Sequence, residues 1–267
     1  MIFKSFDIDK IKTARSNKER RGFKNEKETA YLIDFELKTS DNYAVLHDLR
    51  FEYNGRTAQI DHLIVGQNFI FVVESKFFGG NLEISKDTWI VDYVSKKYSI
   101  RSPIRQNERH IQVLQEIIDR EDIFPKNKII PTIMNMVLIS NKTIIKGSRP
   151  KEIVYADSFK DKMKSSITGW ILKNPFALFS VKSNFPVEDF PEICKKLLKF
   201  HKPIERMPDK QTEVDEEQIE HELPPAPPVE TDNTPAAEEK TFELPSDEVL
   251  YTALKKTRRH LAHENGV

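Results

Sequence analysis

Three charged residues interrupt an otherwise apolar stretch, QIDHLIVGQNFIFVVESK, that runs from Gln59 to Lys76. The stretch reads as two β-strands joined by a tight turn, and Asp61, Glu74 and Lys76 lie within it. Side chains alternate across a strand, so Gln59, Asp61, Leu63 and Val65 are expected on one face, and Ile70, Val72, Glu74 and Lys76 on one face of the second strand. A two-residue loop at Gln67-Asn68 places Asp61 opposite Glu74 and Lys76 opposite Gln59; a three-residue loop shifts the register. Two carboxylates facing each other at cross-strand distance repel unless a cation lies between them, and burial raises that cost. Three arrangements satisfy the pair: a hydrated strand end, a structural ion pair with Lys76, or a divalent cation held by oxygen ligands, as Mg²⁺ prefers. Spacing alone favours the charged strand end without chemistry. The common face and the nearby lysine favour the cation.

The surrounding elements must hold this hairpin rigid. Phe23, Ala30, Leu32, Ile33 and Leu37 give residues 17–39 the apolar face of an opening amphipathic helix. YAVLHDLRFEY predicts a strand, closed by a turn at Asn54-Gly55-Arg56. LEISKDTWIVDYVSKKYSI adds short strands, after which Pro103 opens a helix at a position where its missing N–H does no harm. Ile104, Ile111, Leu114, Ile117 and Ile118 form the apolar stripe of that helix. IIPTIMNMVLIS predicts a buried strand, IVYADS another, and PEICKKLLKF a closing helix with Cys194 as a small core residue. Strands mixed with helices on this scale indicate an α/β or α+β domain with a central sheet.

Charge divides the chain more sharply than its zero net charge suggests. Residues 209–247 carry thirteen acids against two bases, which leaves the body before Pro208 at net +9 and the last twenty residues at +2. A basic body suits an anionic partner such as nucleic acid, and scattered surface lysines produce the same excess. The first thirty residues hold nine Lys or Arg against five acids, readable as a basic approach to a phosphate-binding cleft or as a frayed, soluble terminus. Residues 207–245, rich in Pro, Glu, Thr and Ala, are expected to be a disordered acidic linker. A single cysteine excludes an intramolecular disulfide and a zinc ribbon. Without a signal-peptide pattern or a run of membrane-spanning length, the expectation is a cytoplasmic protein with no membrane partner.

GFKNE, QIDHLIVG, FVVESK, the glycine pair at 79–80, Trp89 and RSPIRQN before a helix together resemble the nuclease-related domain (NERD) family, which is related to the PD-(D/E)XK nucleases. The resemblance covers roughly residues 20–120. It implies a restriction-endonuclease-like fold, a central mixed β-sheet flanked by helices, over residues 1–206. It makes Asp61 the motif aspartate and Glu74, Ser75 and Lys76 the Glu-x-Lys element, with Ser in place of the family's Thr. Glu26 matches a first-helix glutamate, although Asn25 replaces the glycine before it, which questions the geometry of that helix start. Pro103 and Gln106 match residues ahead of a helix, and His110 stands where related nucleases often have Tyr. The implied cofactor is Mg²⁺ or Mn²⁺ on Asp61 and Glu74, with Glu26 a direct or water-mediated third carboxylate. Lys76 would orient or help deprotonate water and stabilise the oxyanion, and Gln59 and Gln106 would position water, ligands or a phosphate oxygen.

Each residue also has a plainer reading. Glu26 and the Gln106/His110 pair could be solvated helix faces, Gln59 a strand-end cap, and His62 a hydrogen-bonded core histidine. Residues 246–267 resemble the first helix of an HRDC module, the helical nucleic-acid-binding domain of helicases, or are an ordinary basic amphipathic helix. One helix cannot bury a core, so the module is incomplete there. The expected function is metal-dependent hydrolysis of DNA phosphodiester bonds in DNA processing or repair, without sequence specificity and with a helicase or topoisomerase as a candidate partner. The rival is a non-catalytic DNA-binding or recruitment module of the same fold.

Overall fold

The computed structural model describes residues 1–78, 80–85, 88–93, 96–126, 128–173 and 185–204. The expected acidic linker and the HRDC-like helix lie outside the described residues.

The 3.6-residue apolar spacing seen around Phe23, Ala30, Ile33 and Leu37 becomes the buried side of a 21-residue helix, α2 (Asn17–Leu37). Ser16 caps it by accepting from the Glu19 N–H at 3.1 Å, while the Glu19 carboxylate accepts from the Arg15 N–H at 2.7 Å. Asn25 and Glu26 therefore sit inside the helix rather than at its start, and the missing family glycine has no turn to distort.

Ahead of α2 the chain forms a short strand, β1 (Ile2–Lys4), and one helical turn, α1 (Asp9–Lys12). The frayed terminus is corrected: β1 pairs with β2 (Tyr43–Tyr53) in parallel, and the Lys4 ammonium donates to the carbonyls of His47 and Asp48. Antiparallel strands β3 (Arg56–Gly66) and β4 (Phe69–Lys76) follow, and Asn54 and Gly55 both adopt positive φ in the turn before β3. That mirror-image turn matches the twist of the strands it joins. Strands β5 (Asn81–Ser85), β6 (Thr88–Tyr93) and β7 (Lys96–Ile100) form a small meander. Helix α3 (Pro103–Arg120) leads to β8 (Thr132–Ile139), β9 (Ile145–Gly147) and β10 (Ile153–Tyr155), then α4 (Phe159–Lys173) and α5 (Phe190–Leu198).

The main sheet has the order β1-β2-β3-β4-β8-β10, and a smaller one the order β7-β6-β5-β9. The first is mixed: β2, β3 and β4 are antiparallel, whereas β8 runs parallel to β4 and β10 parallel to β8. Helices cover both faces. Leu63, Val65, Ile70 and Val72 share a core with Val113, Leu114, Ile117 and Ile118 of α3 and with Cys194 of α5. Ile64, Phe71 and Val73 share another with Ile33 and Leu37 of α2 and with Phe159 and Met163 of α4. Cys194 is fully buried, and burial pushes its thiol up to about 12, so it is a packing residue.

Two expected elements differ in extent. Strand β8 starts at Thr132, after Pro131, and leaves Ile129 and Ile130 exposed, because proline offers no N–H to the ladder. IVYADS is a strand only to Tyr155, and Ala156–Ser158 turn into α4, a helix whose weak apolar spacing gave no sequence signal.

Asn107 ties α3 to the sheet. Fully buried, its amide donates to the Val72 carbonyl at 2.8 Å, the Asn135 side-chain oxygen at 2.8 Å and the Met136 carbonyl at 3.3 Å. Asn135 returns a hydrogen bond to the Ile104 carbonyl at 3.1 Å. These bonds set the first turns of α3 in register with β4 and β8, beside Gln106. Asn107→Ala would remove the donor to three acceptors on two strands, β4 and β8. The expected loss is roughly 2–4 kcal/mol, measurable by urea denaturation.

Candidate functional site

The ladder between β3 and β4 pairs Val65 with Ile70, Ile64 with Phe71, Leu63 with Val72 and His62 with Val73, the register expected from a two-residue loop. It stops there, one step short of Asp61 and Glu74. Where the next backbone bond would form, the Asp61 carboxylate accepts instead from the Ser75 N–H at 2.8 Å and the Ser75 hydroxyl at 3.2 Å. Strand β4 continues to Lys76 only because β8 pairs with it on the other side, Glu74 with Val137 and Lys76 with Ile139.

Simple alternation along β3 fails at the same place. Ala58 and Ile60 enter the α3 core, and so do Leu63 and Val65, so the face switches across Asp61 and His62. Strand β2 makes the matching switch: Ala44 and Leu46 enter that core, then Leu49 and Phe51. Asp48 stands at this switch with φ of +55°, and the ladder passes from His47–His62 to Leu49–Ile60 around Asp48 and Asp61. The expectation that Gln59, Asp61, Leu63 and Val65 share one face is thereby corrected, because two strands kink together. A sequence pattern of period two has no means of marking a left-handed aspartate.

The opened strand end is a cleft of about 330 Å³ lined by Glu26, Thr57, Gln59, Asp61, Glu74, Lys76, Gln106 and His110. All six candidate residues, with His110, thus line one cleft. Helix α2 supplies Glu26, β3 supplies Gln59 and Asp61, β4 supplies Glu74 and Lys76, and α3 supplies Gln106 and His110. Gln106 donates to Glu74 Oε1 at 2.8 Å, and the Lys76 ammonium lies 2.5 Å from the same oxygen. Glu74 Oε2 and His110 Nδ1 are buried without a hydrogen-bond partner and face each other at 3.8 Å. That separation is too long for a hydrogen bond, so the carboxylate keeps an open lone pair inside the cleft.

His62 is a core histidine, as expected. Its Nδ1 lies 2.8 Å from Nδ1 of His47, whose Nε2 lies 2.9 Å from Asp34 on α2. Sequence reasoning missed Thr57, Lys10 and Asp48. The Lys10 ammonium donates to Glu26 Oε2 at 3.0 Å and to Asp48 Oδ1 at 2.7 Å. No local motif announces a lysine that reaches its partners across 16 and 38 residues.

Glu26, Asp61, Glu74 and Asp48 outnumber the two ammonium groups, and burial adds to the cost of their charge. Burial, then the Asp61 charge, pushes the Glu74 carboxyl up to about 8 and the Glu26 carboxyl up to about 7. Burial also raises Asp61, against the pull of Lys76 and the Ser75 N–H. Burial alone would lower Lys76, but the charges of Glu74 and Asp61 outweigh it and the ammonium is retained. Burial, then the Lys76 charge, holds His110 down to about 4, so its ring is neutral at pH 7.

Among the described residues no group of three or more His, Cys, Asp or Glu stands close enough to hold a metal ion as a ready cage. The donor set nonetheless suits a hard divalent cation. Its carboxylate oxygens come from three elements, and Glu74 keeps a buried unpartnered oxygen. No helix among the described residues is long and apolar enough to cross a membrane.

The nuclease-related domain family model matches residues 21–139, from within α2 to the end of β8. An uncharacterized Bacillus anthracis protein is 34% identical over 84 residues, which cover 30% of this chain and 39% of that relative. The chain thus spans about two fifths of the relative's length. No solved structure gives a significant match.

Raised carboxyls make stability depend on pH in a definite sense. Folded Glu74 and Glu26 hold protons up to about 8 and about 7, whereas unfolded chains release them near 4.5. The native state therefore binds more protons between those limits, and metal-free stability falls as pH rises through that window. Thermal melts in EDTA from pH 5 to 9 should show a steeper loss for the wild type than for Glu74→Gln, which has no proton to lose.

Proposed function

We propose that this chain, whose residues 21–139 match the nuclease-related domain family, is a metal-dependent hydrolase of DNA phosphodiester bonds acting in DNA processing or repair. The observation that carries the reading is the cleft itself. Glu26, Gln59, Asp61, Glu74, Lys76 and Gln106, drawn from four elements, line one opening at the splayed end of β3 and β4. A hydrated strand end would not bury Glu74 to 1% exposure, and an ion pair made only for stability would not leave its Oε2 unpartnered.

Asp61 and Glu74 would hold Mg²⁺ or Mn²⁺, with Glu26 direct or through water. When bound, the cation supplies Lewis acidity and neutralises charge at the scissile phosphate. Lys76, whose ammonium pairs with Glu74, would orient or help deprotonate the attacking water and stabilise the developing oxyanion. Gln106 fixes the Glu74 carboxylate through its amide, and Asn107 fixes the helix that carries Gln106. Gln59 would position a phosphate oxygen or water from the side of β3. None of these groups is arranged to read base edges, so DNA would be bound without sequence specificity.

Cleavage of single- and double-stranded DNA with Mg²⁺, Mn²⁺ or EDTA tests the reading. Wild type should cut with either metal and not in EDTA. Asp61→Ala and Lys76→Ala should each lose at least about 100-fold in rate, the scale of one removed electrostatic or proton-positioning group. Equal residual nicking by all three proteins would overturn catalysis; metal-insensitive DNA binding alongside it would favour the binding module.

A further inference from the structure

Lys10 is the most buried lysine of the described chain, 7% exposed, and it lies before residue 21, where the family match begins. Lysine is almost never this enclosed unless it is paired. Its ammonium lies over aromatic rings, the nitrogen 4.6 Å from the centre of Phe23 and 5.5 Å from that of Phe6. Its two carboxylate partners have different origins. Glu26 is an acid of the cleft, and Asp48 is the left-handed residue at the skipped ladder step opposite Asp61. Lys10 thus joins Asp48 to Glu26, and Lys76 pairs with Glu74 on the other side of the cleft.

We infer that Lys10 is the built-in occupant of a second cation position, between Glu26 and Asp48, and that its ammonium keeps a divalent ion from binding there. The inference rests on the proposed function only in placing the other cation at Asp61 and Glu74. An ammonium and a divalent ion compete for the same oxygens, but the ammonium donates to them at 2.7 and 3.0 Å, whereas Mg²⁺ draws oxygens to about 2.0–2.1 Å. Because the lysine is tethered, its positive charge is present at any metal concentration. It is a positioning residue: through Glu26 it holds one wall of the cleft at fixed geometry and restricts the site to one exchangeable cation. A salt bridge that served stability alone would not require a partner from the cleft.

The test counts ions. Mn²⁺ binding to the full chain is measured by equilibrium dialysis for wild type, Lys10→Ala, Lys10→Arg and the double variant Lys10→Ala/Asp48→Asn, with circular dichroism on each sample. Asparagine accepts the left-handed backbone of position 48, so the double variant removes charge without forcing the strand. The expected result is one more Mn²⁺ per chain for Lys10→Ala than for wild type. Lys10→Arg should match wild type, and the double variant should lose the extra ion. Equal binding by wild type and Lys10→Ala, or a gain that persists without the Asp48 charge, would overturn the inference. If wild type binds no Mn²⁺ and Lys10→Ala binds one, the inference stands while the metal at Asp61 and Glu74 falls. If Lys10→Ala is unfolded in EDTA, Mn²⁺ should restore its fold, and a chain still unfolded at saturating Mn²⁺ would count against the assignment.

Discussion

The hydrogen bond from the Ser75 N–H to the Asp61 carboxylate is the contact on which the cleft depends. A backbone ladder continued one more step would close β3 onto β4 and bring Asp61 and Glu74 together as a repelling cross-strand pair. By accepting the N–H itself, Asp61 satisfies the donor that the interrupted ladder leaves behind, and the strands can part without an orphaned buried group. The parting is held from both sides. Strand β8 keeps β4 straight through Lys76, and Asp48 bends β2 in step with β3.

Once the strands separate, the space between them is filled by polar side chains from four elements, most of them charged or carrying an amide. Burial, and then the negative charge of their neighbours, raises the carboxyls of Glu26 and Glu74, while the carboxylates around them retain the protons of Lys76 and Lys10. The two lysines are placed differently: Lys76 leaves a third of its side chain exposed and lines the open cleft, whereas Lys10 is buried, its ammonium over the rings of Phe6 and Phe23 and paired with Glu26 and Asp48. The scaffold supports this concentration of charge with aliphatic burial on both faces of the sheet. The side chains of Val113, Leu114, Ile117 and Ile118 contribute about 1.5–3 kcal/mol each, which exceeds the cost of a few strained polar positions.

Much of this was legible in the residues. The apolar spacing of α2 and α3, the turn at Asn54-Gly55, the two-residue loop at Gln67-Asn68 and the resulting register of β3 against β4 all follow from local chemistry. Asp61, Glu74 and Lys76 stood out as charges in an apolar hairpin, whereas Glu26 and Gln106 were drawn in by the NERD resemblance. Helix α4 escaped because its face is too weakly apolar to show a period, and the N-terminal segment because a basic, polar run looks the same whether it is loose or docked.

The sequence by itself determined which residues could do chemistry and which strands carry them, since side-chain type and turn geometry are local properties. Only the tertiary structure decided that Asp61 would bond to Ser75 rather than simply face Glu74, and that Asp48 would turn left-handed opposite it. It also decided that Lys10, distant in the chain, would seat its ammonium against Glu26. Those outcomes depend on where two strands stop pairing and on which charge lies nearest in space. Both are settled by the burial of groups far apart along the chain, a balance that no stretch of neighbouring residues contains.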